Sequence, residues 1–206
     1  MSLHKLSYEL WGIDWEKHLP ATIGGNERLS IGLGDVDECL EFVIRNFQVI
    51  FDLRSEDRRF GRPELLDAKR RYYERAGDFL AFRDAGRLVG FFLGTPSDCD
   101  SYYYRHVCVL PESRGQRWVQ TVTGLVLRVL GEYGVSLVEA DAAPSNLITQ
   151  HLLNKYGFYP AGLLCTTRWG AIARYVKFLD GDAKDVFLRQ FCSGIRPECR
   201  VRQPIT

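Results

Sequence analysis

Residues 102–158 constrain the fold more than any other part of the chain, because they spell a strand, a tight turn, a helix, a second strand and a second helix in that order. Tyr102 to Val109 is aromatic and β-branched, which suits a pleated, half-buried strand, and Pro111 cannot extend a ladder, so the strand ends before it. From Trp118 the apolar residues Val119, Val122, Leu125, Val126, Val129, Leu130 and Tyr133 recur at helical spacing, while Gln120, Thr123, Arg128 and Glu132 fall elsewhere on the wheel. A helix is therefore predicted to start near Gln116. Leu137 to Ala140 reads as the next strand, after a turn at Tyr133-Gly134. Ser145 or Asn146 is placed to cap a second helix through Leu147, Ile148, His151, Leu152 and Tyr156, which stops at Gly157, and Phe158-Tyr159 opens a further strand.

The first of these helices carries chemistry at its start. Backbone amides of a first helical turn lack intrahelical partners, and the helix dipole adds partial positive charge there. Arg114 and Arg117 add full charges to what is already an anion site.

This order of elements resembles the acyl-CoA-binding half of the GNAT superfamily of N-acetyltransferases, over about residues 29–179. In that family the turn before the first helix resembles Arg/Gln-x-x-Gly-x-Gly/Ala and its amides hold the pyrophosphate of coenzyme A. Here the six positions are Arg114, Gly115, Gln116, Arg117, Trp118 and Val119, so the first matches while Arg117 and Val119 stand where the pattern has small residues. The second helix resembles Asn-x-x-Ala-x-x-Leu-Tyr-x-x-x-Gly-Phe, which grips the pantetheine arm. Asn146, Leu152, Gly157 and Phe158 match it; Thr149 replaces the alanine, and Leu153 replaces the tyrosine that often protonates the departing thiolate.

The resemblance implies an α/β (α+β) GNAT fold, a mixed, centrally splayed sheet flanked by helices. It implies acetyl-CoA, or another acyl-CoA, as co-substrate, held by Arg114 to Val119, Asn146 and Leu153, with the acyl carbonyl on a backbone amide near Cys108 or Val109. Transfer to an amine requires that the amine be neutral when it attacks, that the carbonyl oxygen find a donor, and often that an acid meet the thiolate. His106 is a base candidate. Side-chain alternation puts it on one strand face with Tyr104 and Cys108, and an ordinary histidine pKa of about 6.5 suits proton removal at neutral pH. Asp141, five residues before Asn146, is where some members of the family with protein N-terminal substrates carry a water-mediated glutamate base. The alternatives are a hydrogen-bonded core histidine and a carboxylate that fixes the loop before Pro144 or binds the substrate ammonium. Tyr156, one turn beyond Leu153, is the substitute acid, with core packing as its simpler role. Cys108 lacks a recognisable partner for a nucleophile's role.

Elsewhere, Leu29 to Leu33 reads as a strand and Asp35 as the cap of a helix carrying Cys39, Leu40, Phe42, Val43, Phe47 and Ile50. After the charged stretch Arg54 to Arg62, a helix runs from Pro63 to about Arg75, and Phe79–Phe82, Asp84-Ala85-Gly86 and Leu88–Leu93 form a hairpin. Residues 1–28 are read as an N-terminal extension, an edge strand or a lid, and 180–206 as a tail packed on the domain, with Arg189, Arg196, Arg200 and Arg202 as solvated surface.

With 206 residues, 46% of them hydrophobic, the chain is long enough for one sizeable core. A formal charge of +1 supplies no basic field for nucleic acid, and no apolar run suits a membrane span or signal peptide, so a cytoplasmic protein is expected. The six cysteines, Cys192 and Cys199 included, show no metal-ligand spacing and are expected as free thiols. The acceptor is expected to be a small-molecule amine, and a homodimer is compatible with the sequence. The substituted motif positions leave two other readings open: a non-catalytic binding module on the same fold, or a transferase using a longer acyl-CoA or an acyl carrier protein.

Overall fold

Ala85 and Gly86 both have positive φ, 49° and 84°, the geometry that lets a two-residue turn follow the twist of its strands. Around that turn folds the central hairpin of a sheet seen in a computed structural model that describes residues 5–51, 63–166 and 170–191. In chain order the elements are α1 (Leu6–Trp11), β1 (Ala21–Ile23), β2 (Asn26–Leu33), α2 (Val36–Phe51), α3 (Pro63–Ala76), β3 (Asp78–Asp84), β4 (Arg87–Pro96), β5 (Ser101–Val109), α4 (Trp118–Glu132), β6 (Leu137–Ala142), α5 (Leu147–Lys155), β7 (Tyr159–Thr166), β8 (Gly170–Phe178) and α6 (Gly181–Phe191). The strands form one mixed sheet in the order β1-β2-β3-β4-β5-β6-β8-β7. Only β5 and β6 are paired in parallel; every other neighbouring pair is antiparallel.

Two hydrophobic layers cover the sheet. One face holds α4 and α5 through Trp118, Val122, Val126, Val129, Leu153 and Phe158, together with Ile13 and Trp15 from the N-terminal segment. Burial of side chains of this size contributes about 1.5–3 kcal/mol each. Trp118 stacks on Phe82 with ring centroids 5.6 Å apart, and its indole donates to the Ser113 carbonyl at 3.1 Å. The other face carries α2 and α3 on Phe79, Phe91, Leu93 and Cys108. Asp35 caps α2 as its sequence suggests, accepting from the amides of Asp37 and Glu38 at 2.9 and 3.0 Å.

The segment before Leu29 supplies the edge strand β1 and buries Ile13, Trp15 and Ile23 in the main core. The charged stretch 54–62, Cys192, Cys199 and the arginines at 196, 200 and 202 lie outside the described residues. Among the described residues Cys39, Cys99, Cys108 and Cys165 are free thiols, and no helix is long and apolar enough to cross a membrane.

Asp78, at the start of β3, is a carboxyl set inside this core. It accepts from Ser7 Oγ at 2.8 Å and Tyr102 Oη at 3.0 Å, which ties α1 and β5 to β3. Burial pushes its pKa up to about 6 despite those two hydroxyls and the attraction of Lys5, whose ammonium donates to the carbonyls of Glu74 and Gly77 at 2.8 and 2.9 Å. The folded state therefore holds this proton more tightly than the unfolded chain, whose carboxyl titrates near 3.9. The stability gained from the neutral acid is fully present below about pH 4 and is lost as pH rises through about 6, a change of about 3 kcal/mol. Asp78→Asn removes that dependence. Urea unfolding of both proteins at pH 4 and pH 7 is expected to show the variant gaining about 2 kcal/mol on the wild type between the two, and equal changes in both would refute the raised pKa.

Candidate active site

β5 and β6 stay paired through only four residues each, Ser101–Tyr104 against Leu137–Ala140. Beyond them β5 continues along β4 and β6 continues along β8, so the two strands part into a fork. On β5 the fork begins at a β-bulge. Leu93 lies opposite His106 and Gly94 opposite Tyr104, which makes Arg105 the extra residue.

The bulge reverses the alternation of side chains. Tyr102 and Tyr104 before it, and Val107 and Val109 after it, all pack on the α4 side, whereas Cys108 packs on the α2 side. His106 is paired with Leu93, a residue of the α2-side cluster, so it shares a face with Cys108 and not with Tyr104. Strict alternation from the sequence placed all three together; the inserted residue corrects this.

Backbone polarity follows the same frame. Leu110 donates its amide to the Val89 carbonyl at 2.9 Å, and antiparallel alternation then turns the Cys108 amide towards β4 and the Val109 amide into the fork. Of the two amides expected to hold an acyl carbonyl, Val109 is the one that faces the fork. Cys108 directs its thiol at the Phe91 carbonyl, 3.8 Å away, and burial pushes that thiol up to about 12, which suits a packed side chain and no nucleophile.

On the α4 side the phosphate-sized turn sits at the mouth of the fork. Arg114 Nε reaches the Val109 carbonyl at 3.4 Å, and Gly115 has φ +83° with open space on its side-chain position. The helix starts at Trp118, two residues later than its periodicity suggests, because Arg117 is left-handed at φ 63°, ψ 16°. Arg117 thus holds the conformation that a glycine adopts without cost. Among the described residues no side chain caps α4, which leaves its first-turn amides to an anion. Trp118 is 2% exposed, which leaves only its backbone for that purpose, and Val119 packs partly against the core. Gln116 Oε1 is buried with no hydrogen-bond partner among the described residues.

The helices around the fork are braced by hydroxyls. Tyr104 Oη meets Thr123 Oγ1 at 2.9 Å, and Tyr156 Oη donates to the Gln120 carbonyl at 2.6 Å. Burial raises the pKa of both phenols. Asn146 is the cap of α5, accepting from the Thr149 amide at 3.1 Å, and Leu153 is 2% exposed in the core, where it supplies no proton.

The opposite face of the fork carries a cluster of which the sequence singled out Asp141 alone. Glu139 and Asp141 project from β6, and Arg174 of β8 joins them, its Nε 2.5 Å and Nη2 3.1 Å from Asp141 and its Nη1 2.9 Å from Glu139. Burial opposes the Arg174 charge, but Asp141 and Glu139 outweigh it and hold the guanidinium above its ordinary pKa. Tyr103 Oη donates to Asp141 at 2.7 Å; burial first, and then that carboxylate, push its pKa up. Arg105 lies over the rings of Tyr73 and Tyr103, 5.6 and 5.7 Å from their centroids. A charged residue inside the run YYYRHVCVL and the spacing Glu139-x-Asp141 were visible signals; their meeting with Arg174 depends on β8. A separate depression of about 320 Å³, lined by Glu38, Arg45, Arg87 and Leu110 among others, shares no residue with this cluster.

The left-handed Arg117 generates a prediction. A β-carbon in that region costs about 1–2 kcal/mol, partly offset by glycine's freedom in the unfolded chain. Arg117→Gly is expected to stabilise the protein by about 1 kcal/mol, or about 2–4 °C in Tm by differential scanning calorimetry; a lower Tm would show that the side chain is needed to hold the turn.

Several solved structures share this arrangement at low sequence identity. A putative acetyltransferase from Salmonella typhimurium, solved with its cofactor acetyl-CoA, is 16% identical with a TM-score of 0.57, the alignment covering 75% of this chain and 96% of that one. A spermidine N-acetyltransferase chimera from Vibrio cholerae and hSSAT gives 17%, 0.58, 74% and 96%. The ribosomal-protein-S18-alanine N-acetyltransferase of Escherichia coli gives 14%, 0.56, 74% and 94%. At these identities the likeness shows the fold. No curated protein sequence matches the chain. The profile of the acetyltransferase (GNAT) family, however, matches residues 47–158, more than half of the chain, including both strands of the fork and the turn before α4, and the chain therefore belongs to the GNAT family of acetyltransferases.

Proposed function

We propose that the protein transfers an acetyl group from acetyl-CoA to the primary amine of a small molecule by direct attack. The observation that carries this reading is the shared mouth of the fork and α4: the Val109 amide faces inward, and the uncapped helix start with Gly115 and Arg117 lies beside it. A thioester carbonyl and a diphosphate need these two things, a hydrogen-bond donor and a cluster of backbone amides with positive charge. The Salmonella neighbour solved with acetyl-CoA supports the choice of donor.

In this reading the amine enters from the α2 side. His106, on that face directly after the bulge, takes a proton from the ammonium group. Asp141 is less suited to that task because its two oxygens already accept from Arg174 and Tyr103, so it positions instead. The neutral nitrogen then bonds to the carbonyl carbon, the Val109 amide meets the charge growing on oxygen, and the carbon–sulfur bond breaks as the thiolate leaves. Tyr156 keeps its proton on the Gln120 carbonyl and Leu153 has none, so the thiolate departs unassisted; the attacking nitrogen releases its second proton to solvent and the thiolate takes one up from solvent.

Titration calorimetry with acetyl-CoA is expected to give micromolar binding, and phosphopantetheine alone much weaker binding; no heat with acetyl-CoA would sink the proposal. Tyr156→Phe is expected to cost about 1 kcal/mol of stability and to change kcat by less than about threefold. A fall of 10²-fold or more, the usual range for losing a general acid, would restore Tyr156 as the proton donor.

A further inference from the structure

We infer that the acceptor carries a carboxylate close to its amine, as an amino acid does, and that Arg105 is the group that recognises it; this rests on the acetyl-transfer reading of the same fork. Arg105 is the bulged residue of β5, at the point where the fork opens and on the face from which the acceptor enters. Its guanidinium lies over the rings of Tyr73 and Tyr103, which hold it in place without taking its N–H donors. Nε is buried and has no hydrogen-bond partner among the described residues. The nearby carboxylates do not serve it: both Glu139 and Asp141 are taken by Arg174. A buried donor of this kind is costly to leave unmade, and a planar guanidinium edge matches a carboxylate in two parallel bonds.

Charge narrows the ligand further. Among the described residues Glu139 and Asp141 supply two carboxylates and Arg174 and Arg105 two guanidiniums, so these four side chains balance one another. A zwitterion preserves that balance. A polyamine needs an excess of carboxylates, and a phosphate dianion meets Glu139 and Asp141 with one cation already engaged. A single negative group joined to an ammonium is what remains. The ring of Tyr103, which lies 5.4 Å from Arg174 as well, couples the recognising arginine to the arginine that holds Asp141.

The test compares L-amino acids with the amines they yield on decarboxylation, as in phenylalanine with phenethylamine and leucine with 3-methylbutylamine. Binding is measured by calorimetry without acetyl-CoA, and acetyl transfer by thiol release with it. The wild type is expected to favour the α-carboxylate member of each accepted pair by about 100-fold in Kd or kcat/KM, the scale of losing a bidentate charged contact. Arg105→Gln removes that preference and Arg105→Lys, which keeps charge without the fork, restores part of it; acetyl-CoA affinity stays the same in all three, which also reports correct folding. Equal use of both members by the wild type, a preference that survives Arg105→Gln, or failure of every carboxylate-bearing member to bind or react overturns the inference. Absence of acetyl-CoA binding overturns the acetyl-transfer reading instead, and the amino acid titrations still decide the carboxylate question.

Discussion

A seam of four residue pairs between β5 and β6 is the constraint on which the rest depends. Parallel pairing is slightly weaker per residue than antiparallel pairing, and a seam this short has little strength of its own. It is reinforced from three directions by consecutive tyrosines. Tyr102 reaches Asp78 in the core, Tyr103 crosses the seam to Asp141, and Tyr104 reaches Thr123 on α4. Strand, partner strand and covering helix are thereby fixed where the backbone begins to part. The fork remains open beyond this point because its amides are not needed to hold the sheet together.

Each face of the fork then acquires its own chemistry. On the α4 side the working groups are backbone amides and the charges of Arg114 and Arg117, suited to an anion that lies along the main chain. On the α2 side they are side chains, Glu139, Asp141, Arg174, Arg105 and His106, which the proposed reading assigns to the acceptor. Arg117 shows how the first face survives substitution: the turn keeps its left-handed residue although the glycine that the conformation favours is missing. The loss of a small residue there is a cost in strain rather than a loss of shape.

Much of this was legible in the sequence. The apolar spacing from Trp118 to Tyr133 set α4, Asp35 and Asn146 announced their caps, and Asp84-Ala85-Gly86 announced the hairpin. Those signals are local, carried by a few neighbouring residues. The bulge is not local. Arg105 is neither glycine nor proline, and its extra place exists only relative to Leu93 and Gly94 on another strand. The Arg174 cluster was hidden for the same reason, since Asp141 meets it only through the pairing of β6 with β8. Trp118 misled in the other direction: a residue inside a phosphate-binding motif is also the anchor that stacks on Phe82, and sequence position does not separate the two roles.

The bulge behaves like a frameshift in a message read two letters at a time. Residues before Arg105 are read in one frame and residues after it in the other, so a single inserted position decides which side chains of β5 face α4 and which face α2. Moving that insertion by one place along the strand would re-aim the side chain it passes over without changing the composition. For a family whose members share a donor and differ in acceptor, the placement of one extra residue is a route to new specificity that leaves the shared half of the site intact.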